Sequence, residues 1–379
     1  MIAAIPRRCL VFVALLWAGP VLARQTSMLT PPPTRPPPMQ QQAPSRPLMT
    51  QQQPAAPRPL MPPAEPKDPD PRPVWSLVVE NDLFARDNQD KHYSNGVRLN
   101  YVTGEGDHFD RLWRLGAALP LLDLQGHRRL GLSLGHNIYT PFDKRRLVPD
   151  PTDRPYAGWL YVGLALQTDS RDRRRQDTLE LGVGVVGPGA GGEWVQNEFH
   201  DFIGAAEARG SDSQLEDELG INLVYERKWR LPIVEIRQFR SLGLEIIPHA
   251  GGSLGNVSTY LNAGATVRIG ENLGDYFGPP RIRPALPGSA AFTPEDRFAW
   301  YLFAGFDARL VGRDIFLDGN TFRDNPSVDK KRITGDVSAG VALLFTNLRI
   351  SYTQILRFKE FESQRRNDFF GSIGIAHRF

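Results

Sequence analysis

Three polar groupings in this chain have residue types suited to hydrolysis. Glu80-Asn81-Asp82 closes one run of alternating polarity, and His92-Tyr93-Ser94-Asn95-Gly96 opens the next. His200 stands four residues after Gln196, the spacing of one helical turn. Ester hydrolysis needs a base, a nucleophile and a stabiliser for the developing oxyanion. A neutral imidazole can take a proton from water near neutral pH. The amide and carboxylate oxygens of Asn81 and Asp82 suit a hard cation such as Ca²⁺, which can polarise a scissile carbonyl. Plainer roles stand beside these: Asn and Asp are common hairpin residues, and a loop histidine can simply be solvated.

The elements that would position these groups read as strands. From Val74 to Phe379 the chain runs in two-residue periods: Trp75, Leu77 and Val79 alternate with Ser76, Val78 and Glu80, and Ile373, Ile375, His377 and Phe379 alternate with Ser372, Gly374, Ala376 and Arg378. Such a pattern builds an antiparallel transmembrane β-barrel whose apolar face meets lipid and whose polar face lines the interior. The spacing predicts about 12 strands near 74–82, 94–103, 128–140, 157–168, 176–187, 217–230, 240–249, 255–270, 297–312, 333–345, 347–357 and 369–379. An even count suits closure, which leaves no unpaired strand edge. Residues 107–126 read as an amphipathic turn rather than a further strand. The terminal aromatic Phe379 resembles the last residue of outer-membrane barrels. One stretch breaks the period: Gly187-Pro188-Gly189-Ala190-Gly191-Gly192 leads into residues 193–204, where Trp194, Asn197 and Asp201 recur at helical spacing. A short helix in an extracellular loop is expected there, carrying His200. Hairpin loops are normally tight, so a helix suggests a purpose.

Composition divides the 379 residues into three parts. Residues 1–23 read as a secretory signal, with Arg7 and Arg8 before the apolar run Leu10–Trp17 and small residues near Ala23. That run is too short to span a bilayer, which takes about 20 apolar residues; a retained anchor is the alternative. Residues 24–73 form a linker, rich in Pro and Gln from Thr30 onward, expected to be extended, solvated and periplasmic. Residues 74–379 are the barrel. The single cysteine, Cys9, falls in the signal, so any chemistry uses oxygen or imidazole groups rather than thiolates. The 45 basic and 42 acidic residues nearly cancel, and no basic block with interleaved aromatics points to nucleic acid.

The motifs at these positions resemble the outer-membrane lipid A 3′-O-deacylase family. The resemblance spans roughly residues 75–379 and rests on several runs: Glu80–Phe84, His92–Leu99, Asn137–Pro141 with Asp143–Arg146 and Asp153–Trp159, and Gly184–Gly192 followed by Val195–His200 and Ile203–Ala205. It implies a 12-stranded barrel acting on lipid A of lipopolysaccharide, with its site between the wall and a loop helix and with a Ca²⁺-dependent mechanism. By position, His200 would be the general base, Asn81 and Asp82 would hold the metal or orient the site, and Ser94 would stand where the family usually has Thr. Lys144 and Arg145 would contact a sugar phosphate. The family's acidic residue after the histidine would be Glu207, a further metal ligand. A monomer is expected.

Two other readings remain at this stage. His92 and Ser94 also match the His-x-Ser-Asn-Gly pattern of outer-membrane phospholipase A, and two residues apart in a strand they would share a face. A non-enzymatic barrel, as porin or wall tether, is the other, although a barrel of this size is filled largely by side chains.

Overall fold

The computed structural model describes residues 68–84, 92–106, 109–117, 121–143, 146–192, 213–236, 242–274, 276–278, 281–282, 291–292 and 297–379. Residues 61–379 form one compact unit, and all described residues belong to it.

Thirteen strand segments make one antiparallel sheet: β1 Val74–Asn81, β2 His92–Val102, β3 His127–Thr140, β4 Ala157–Asp169, β5 Arg175–Val186, β6 Glu218–Trp229, β7 Leu231–Ile236, β8 Leu242–Gly255, β9 Ser258–Glu271, β10 Phe298–Asp314, β11 Ile333–Phe345, β12 Leu348–Arg357 and β13 Asp368–Arg378. Each pairs with its neighbour in sequence except at the break between β6 and β7; the barrel shuts by β1 pairing with β13 and β6 with β8. β6 and β7 lie one after the other along the same edge of β8, from Asn222↔Gly255 down to Ile236↔Leu242. They are one wall strand broken near Pro232, which has no N–H to give the ladder. The wall is therefore a closed barrel of 12 strands, as the periodicity predicts.

Two boundaries differ from expectation. The strand expected at 240–249 runs to Gly255, and the next begins at Ser258. Gly251 and Gly252, between the two strands expected from sequence, lie inside β8. There the strands approach closely: a Cβ on Gly251 would fall 2.2 Å from the Tyr225 carbonyl oxygen.

The barrel is inside-out by the standard of a soluble protein. Trp75, Leu77, Leu99, Leu134, Val162 and Leu302 are exposed on the outer face, while Glu80, Arg98, Glu180, Arg268, Asp307 and Asp336 are buried inside. The interior charges are paired: Arg98 donates to Glu180 at 2.5 Å, Arg357 to both oxygens of Asp336 at 3.0 and 3.2 Å, and His249 lies 2.9 Å from Asp307. Pairing is what makes charge tolerable in a space shielded from water. The connection from β9 to β10 also enters the interior. Ile282 N donates to Glu80 Oε1 at 2.8 Å, and Phe292 is buried beside Tyr301 and Leu344. An interior cavity of about 100 Å³ is bordered by Arg98, Tyr161, Tyr260 and Arg309.

The two ends differ. At the Val74 end, residues 68–73 are tied to the rim: Asp70 N donates to Glu105 Oε2, Arg378 pairs with Asp70 at 2.7 Å, and Arg173 donates to the Asp68 carbonyl. Burial would raise the Glu105 carboxyl, but Arg173 and Arg129 more than offset it and hold it below its usual range. The stretch 107–126, expected as an amphipathic turn, includes helix α1, Asp110–Ala117. At the Asn81 end lie the connections 82–91, 141–156, 187–217, 256–257, 315–332 and 358–367.

Candidate active site

Asn81 is the last residue of β1, and by alternation it shares the outer face with Trp75, Leu77 and Val79. Those three are open or half-open, yet Asn81 is only 4 % exposed and Asp82 only 2 %. The same change occurs on neighbouring strands. Leu132 and Leu134 of β3 are exposed, whereas Ile138 and Thr140, on the same face nearer the Asn81 end, are buried. The outer wall at the ends of β1 to β3 is thus covered, and what it covers is polar.

Local sequence accounts for this. After Asn81 the chain turns through a single 3-10 turn, Asp82–Phe84. Tyr352 on β12 donates to the Phe84 carbonyl at 3.0 Å. Phe84 also lies over Gly371 of β13, where a Cβ would fall 2.5 Å from the Phe84 Cβ. The hairpin end is thereby pressed against its neighbours. On β2 the register slips by one residue between Tyr93 and Asn95, a β-bulge that leaves Ser94 without a ladder partner. Ser94 Oγ instead lies 2.6 Å from Thr140 Oγ1 on β3. Asn95 sits opposite Asn81. Asn81, Asp82 and Ser94 are thus brought to one end of one hairpin, as the sequence predicts. Thr140 completes a hydroxyl pair that sequence reasoning did not assign, although it lies in the quoted run Asn137–Pro141.

The Gly-rich stretch forms a turn packed on the same face. Gly187 N donates to the Gly158 carbonyl at 3.0 Å, and Gly187 and Gly191 adopt positive φ of 108° and 67°, which favour glycine. Gly189 N donates to Asp217 at 2.6 Å. Gly192 comes to Gly158 and Ile138, two residues from Thr140. From Gly192 the chain has eight residues to His200. His200, Lys144, Arg145 and Glu207 all lie outside the described residues. The connection bearing Lys144 and Arg145 is rooted at the same end, between Thr140 and Ala157.

His92 has a different role from the one its spacing suggests. Its Nδ1 lies 2.7 Å from Asp368 and its Nε2 3.5 Å from Asp153, and Phe361 packs edge-on against the ring at 5.5 Å. Both ring nitrogens face carboxylates, while the contact made by Ser94 is Thr140. His92 stands opposite Thr140 in the β2–β3 register and has a positive φ of 61°, and its ring turns to the two carboxylates rather than to Ser94. Asp153 also accepts from Phe142 N at 2.6 Å and Arg154 N at 2.8 Å. Burial would raise the Asp153 carboxyl, but these bonds and His92 hold it below its usual range. His92 is a clasp between β2, the 141–156 connection and β13. Arg154 continues that clasp, pairing with Glu360 at 3.2 Å and lying over Tyr139.

A family model described as outer membrane protein LpxR matches residues 49–379. The chain belongs to the LpxR family. This is the outer-membrane lipid A deacylase family that the motifs resemble, and it places the barrel in the outer membrane. Among solved structures, LpxR from Salmonella typhimurium is 21 % identical with a TM-score of 0.66, covering 81 % of this chain and 100 % of that one. The β domain of the Bordetella autotransporter BrkA is 10 % identical with a TM-score of 0.40, over 82 % of this chain and 99 % of that one. No curated protein sequence matches. The Salmonella LpxR likeness fixes the shared fold.

Asn81 and Asp82 offer hard oxygens, the donor type that calcium takes, in a setting screened from water. Among the described residues no group of three or more His, Cys, Asp or Glu could hold a metal. These two fit as part of a calcium site whose other ligands would come from elsewhere, water included.

Proposed function

We propose that this LpxR-family barrel removes the 3′-O-linked acyl chain of lipid A in the outer leaflet, as a monomer, with His200 activating water. The observation that carries the reading is the covered polar cluster of Asn81, Asp82 and Ser94 on the outer face of the wall, with the turn that leads to His200 packed beside it. An ester of a lipid embedded in the bilayer reaches a site on the outside of a barrel by moving laterally, without entering the filled interior. The Asn81 end then faces the cell exterior, and the linker at the Val74 end lies in the periplasm.

In this reading His200, neutral, accepts a proton from water as the water oxygen attacks the ester carbonyl. The bond between the carbonyl carbon and the 3′ oxygen breaks, and the proton passes from His200 to the departing 3′ oxygen. The products are a free fatty acid and a lipid A with a 3′ hydroxyl. Asn81 and Asp82 would hold Ca²⁺, which when bound supplies positive charge to the ester carbonyl. Ser94, held by Thr140, presents a hydroxyl dipole to the same space. Lys144 and Arg145 contact the sugar phosphate, a task for fixed positive charge, and Glu207 belongs to the metal or histidine surroundings.

Mass spectrometry of lipid A from cells with and without the protein tests this directly. The expected result is loss of one acyl chain from the 3′ position, absent with His200→Ala although the barrel folds. An unchanged acyl pattern with folded protein and calcium present would overturn the reading.

A further inference from the structure

Helix α1 lies outside the barrel, at the end opposite the candidate site. Its Trp113 is buried against Leu130 of β3 and Leu166 of β4, both on the outer face by alternation with exposed Leu132, Leu134 and Val162. Gly116 brings the helix close: a Cβ there would fall 2.7 Å from Leu166 Cδ1.

The wall beneath changes character at this level. Leu130, Leu166, Leu179 and Tyr225 are successive cross-strand partners on β3, β4, β5 and β6. The next outer-face row toward the Val74 end is Arg128, Thr168, Asp177 and Arg227, again successive partners. An apolar row thus gives way to a polar one across four strands in a single step. The polar row is partly covered: Arg227 Nη2 donates to the Leu121 carbonyl, as does Tyr225 Oη from the row above, and Arg128 donates to the Leu124 carbonyl while lying over the Trp113 ring. A change of this kind on a lipid-facing wall marks the membrane–water boundary, where Tyr and Trp concentrate.

α1 sits on that boundary, and its faces match it. Successive helical side chains turn by about 100°, so Leu112, Trp113 and Gly116 share the face toward the wall. Asp110, Arg111 and Arg114 fall on the far side and are exposed. Leu115 lies between the wall face and the charged face, about 60° from Leu112, and is 71 % exposed; Phe109, just before the helix, is 62 % exposed. Two large apolar side chains left open beside the lipid-facing band continue that band.

We propose that α1 is an interfacial helix, lying in the headgroup layer of the leaflet at the Val74 end, with Leu115 and Phe109 immersed in glycerophospholipid. Wall, lipid and water each receive one side of the helix, the arrangement of an in-plane amphipathic segment. It fixes the depth of the barrel in the bilayer independently of any catalysis.

Cys9 is the single cysteine of the chain, so with it replaced single nitroxide labels report cleanly. In a Cys9→Ser chain, Leu115→Cys, Phe109→Cys and Arg114→Cys are labelled and reconstituted in vesicles of phosphatidylethanolamine and phosphatidylglycerol. Folding is verified by the heat-dependent gel shift. Power-saturation spectroscopy compares collision with oxygen, which partitions into lipid, and with a water-soluble nickel chelate. The expected oxygen-to-nickel ratio is several-fold higher at 115 and 109 than at 114. A ratio at both 115 and 109 equal to that at 114 would place the helix in water and overturn the proposal. Should one labelled variant misfold, the other decides. Because no lipid A turnover is read, this result stands apart from the fate of the deacylase reading.

Discussion

Ser94 Oγ and Thr140 Oγ1 lie 2.6 Å apart, 3 % and 0 % exposed, at the covered end of the outer wall. Each hydroxyl is the other's partner, and both are buried. Removing one leaves the second buried without its bond, which costs about 1–3 kcal/mol. Thr140→Val is therefore expected to lower deacylation about tenfold, the rate equivalent of about 1.4 kcal/mol, with folding intact. Ser94→Thr keeps the hydroxyl and is expected to retain most activity, and Ser94→Ala to lose it as Thr140→Val does. Lipid A mass spectrometry over a time course separates these; full activity in Thr140→Val would show the pair to be inert.

Asp82 supplies a carboxylate where Asn81 supplies an amide, and only the first carries charge. Asp82→Asn preserves shape and removes the charge that draws in a hard cation. Turnover is expected to fall on the order of a hundredfold, comparable to losing one preorganised electrostatic group at a reacting carbonyl. It should recover in part as calcium is raised. Titrating calcium against lipid A conversion for both forms checks this, and an unshifted calcium curve would remove Asp82 from the metal site.

Much of this was legible in the sequence, and the reason is the two-residue period. It sets which side chains face lipid, so 12 wall strands follow from alternation alone, and so does the shared end of Asn81, Asp82 and Ser94. What alternation hides is any departure from it. The bulge at Ser94 has no sequence mark, and neither has the turn of the His92 ring toward two carboxylates rather than toward Ser94. Gly251 and Gly252 fall between two expected strands but lie inside β8 and allow close strand approach, and Pro232 breaks a wall strand into β6 and β7. The partners of His92 lie 61 and 276 residues away, at Asp153 and Asp368, beyond any local pattern.

His92 as a clasp predicts a stability effect rather than a catalytic one. Its ring and the Asp368 carboxylate are both buried, and deleting the ring leaves that carboxylate with the bond from Gln364 Nε2 at 3.0 Å but without its His92 partner, at a cost of about 1–3 kcal/mol. His92→Ala is expected to unfold at lower urea concentration in the gel-shift assay. A serine-directed sulfonyl fluoride should leave Ser94 unlabelled in the parent protein. Labelling at Ser94 would return the serine-hydrolase reading.

The Asp153 carboxyl, held below its usual range by Phe142 N, Arg154 N and His92, carries a pH dependence. A carboxyl with a lowered folded-state value adds stability above its unfolded value of about 3.9. That stability is lost as pH falls through the lower folded value. Hydrogen exchange in 141–156 is expected to stay slow at neutral pH and to rise under strong acid, once corrected for the intrinsic rate. Asp153→Asn should exchange fast at both; an acid-independent profile in the parent would exclude Asp153 as the anchor.

Gly158 offers the sharpest separation of site from scaffold. It lies in β4, and its outer side is occupied by the turn that leads toward His200. A Cβ at 158 would fall 2.9 Å from the Ala190 Cβ and 3.3 Å from the Gly187 carbonyl oxygen. The carbonyl of Gly158 also receives Gly187 N, so turn and strand are joined at this point. Gly158→Val places two more carbons in that contact and must lift the turn from the wall, moving whatever follows Gly192. The ladder of β4 with β3 and β5 tolerates a β-branched residue, which strands favour. The variant is therefore expected to fold, with an unchanged heat-dependent gel shift, and to lose most of its deacylation. Wild-type turnover in folded Gly158→Val would mean that the placement of the turn on the outer wall has no part in the chemistry.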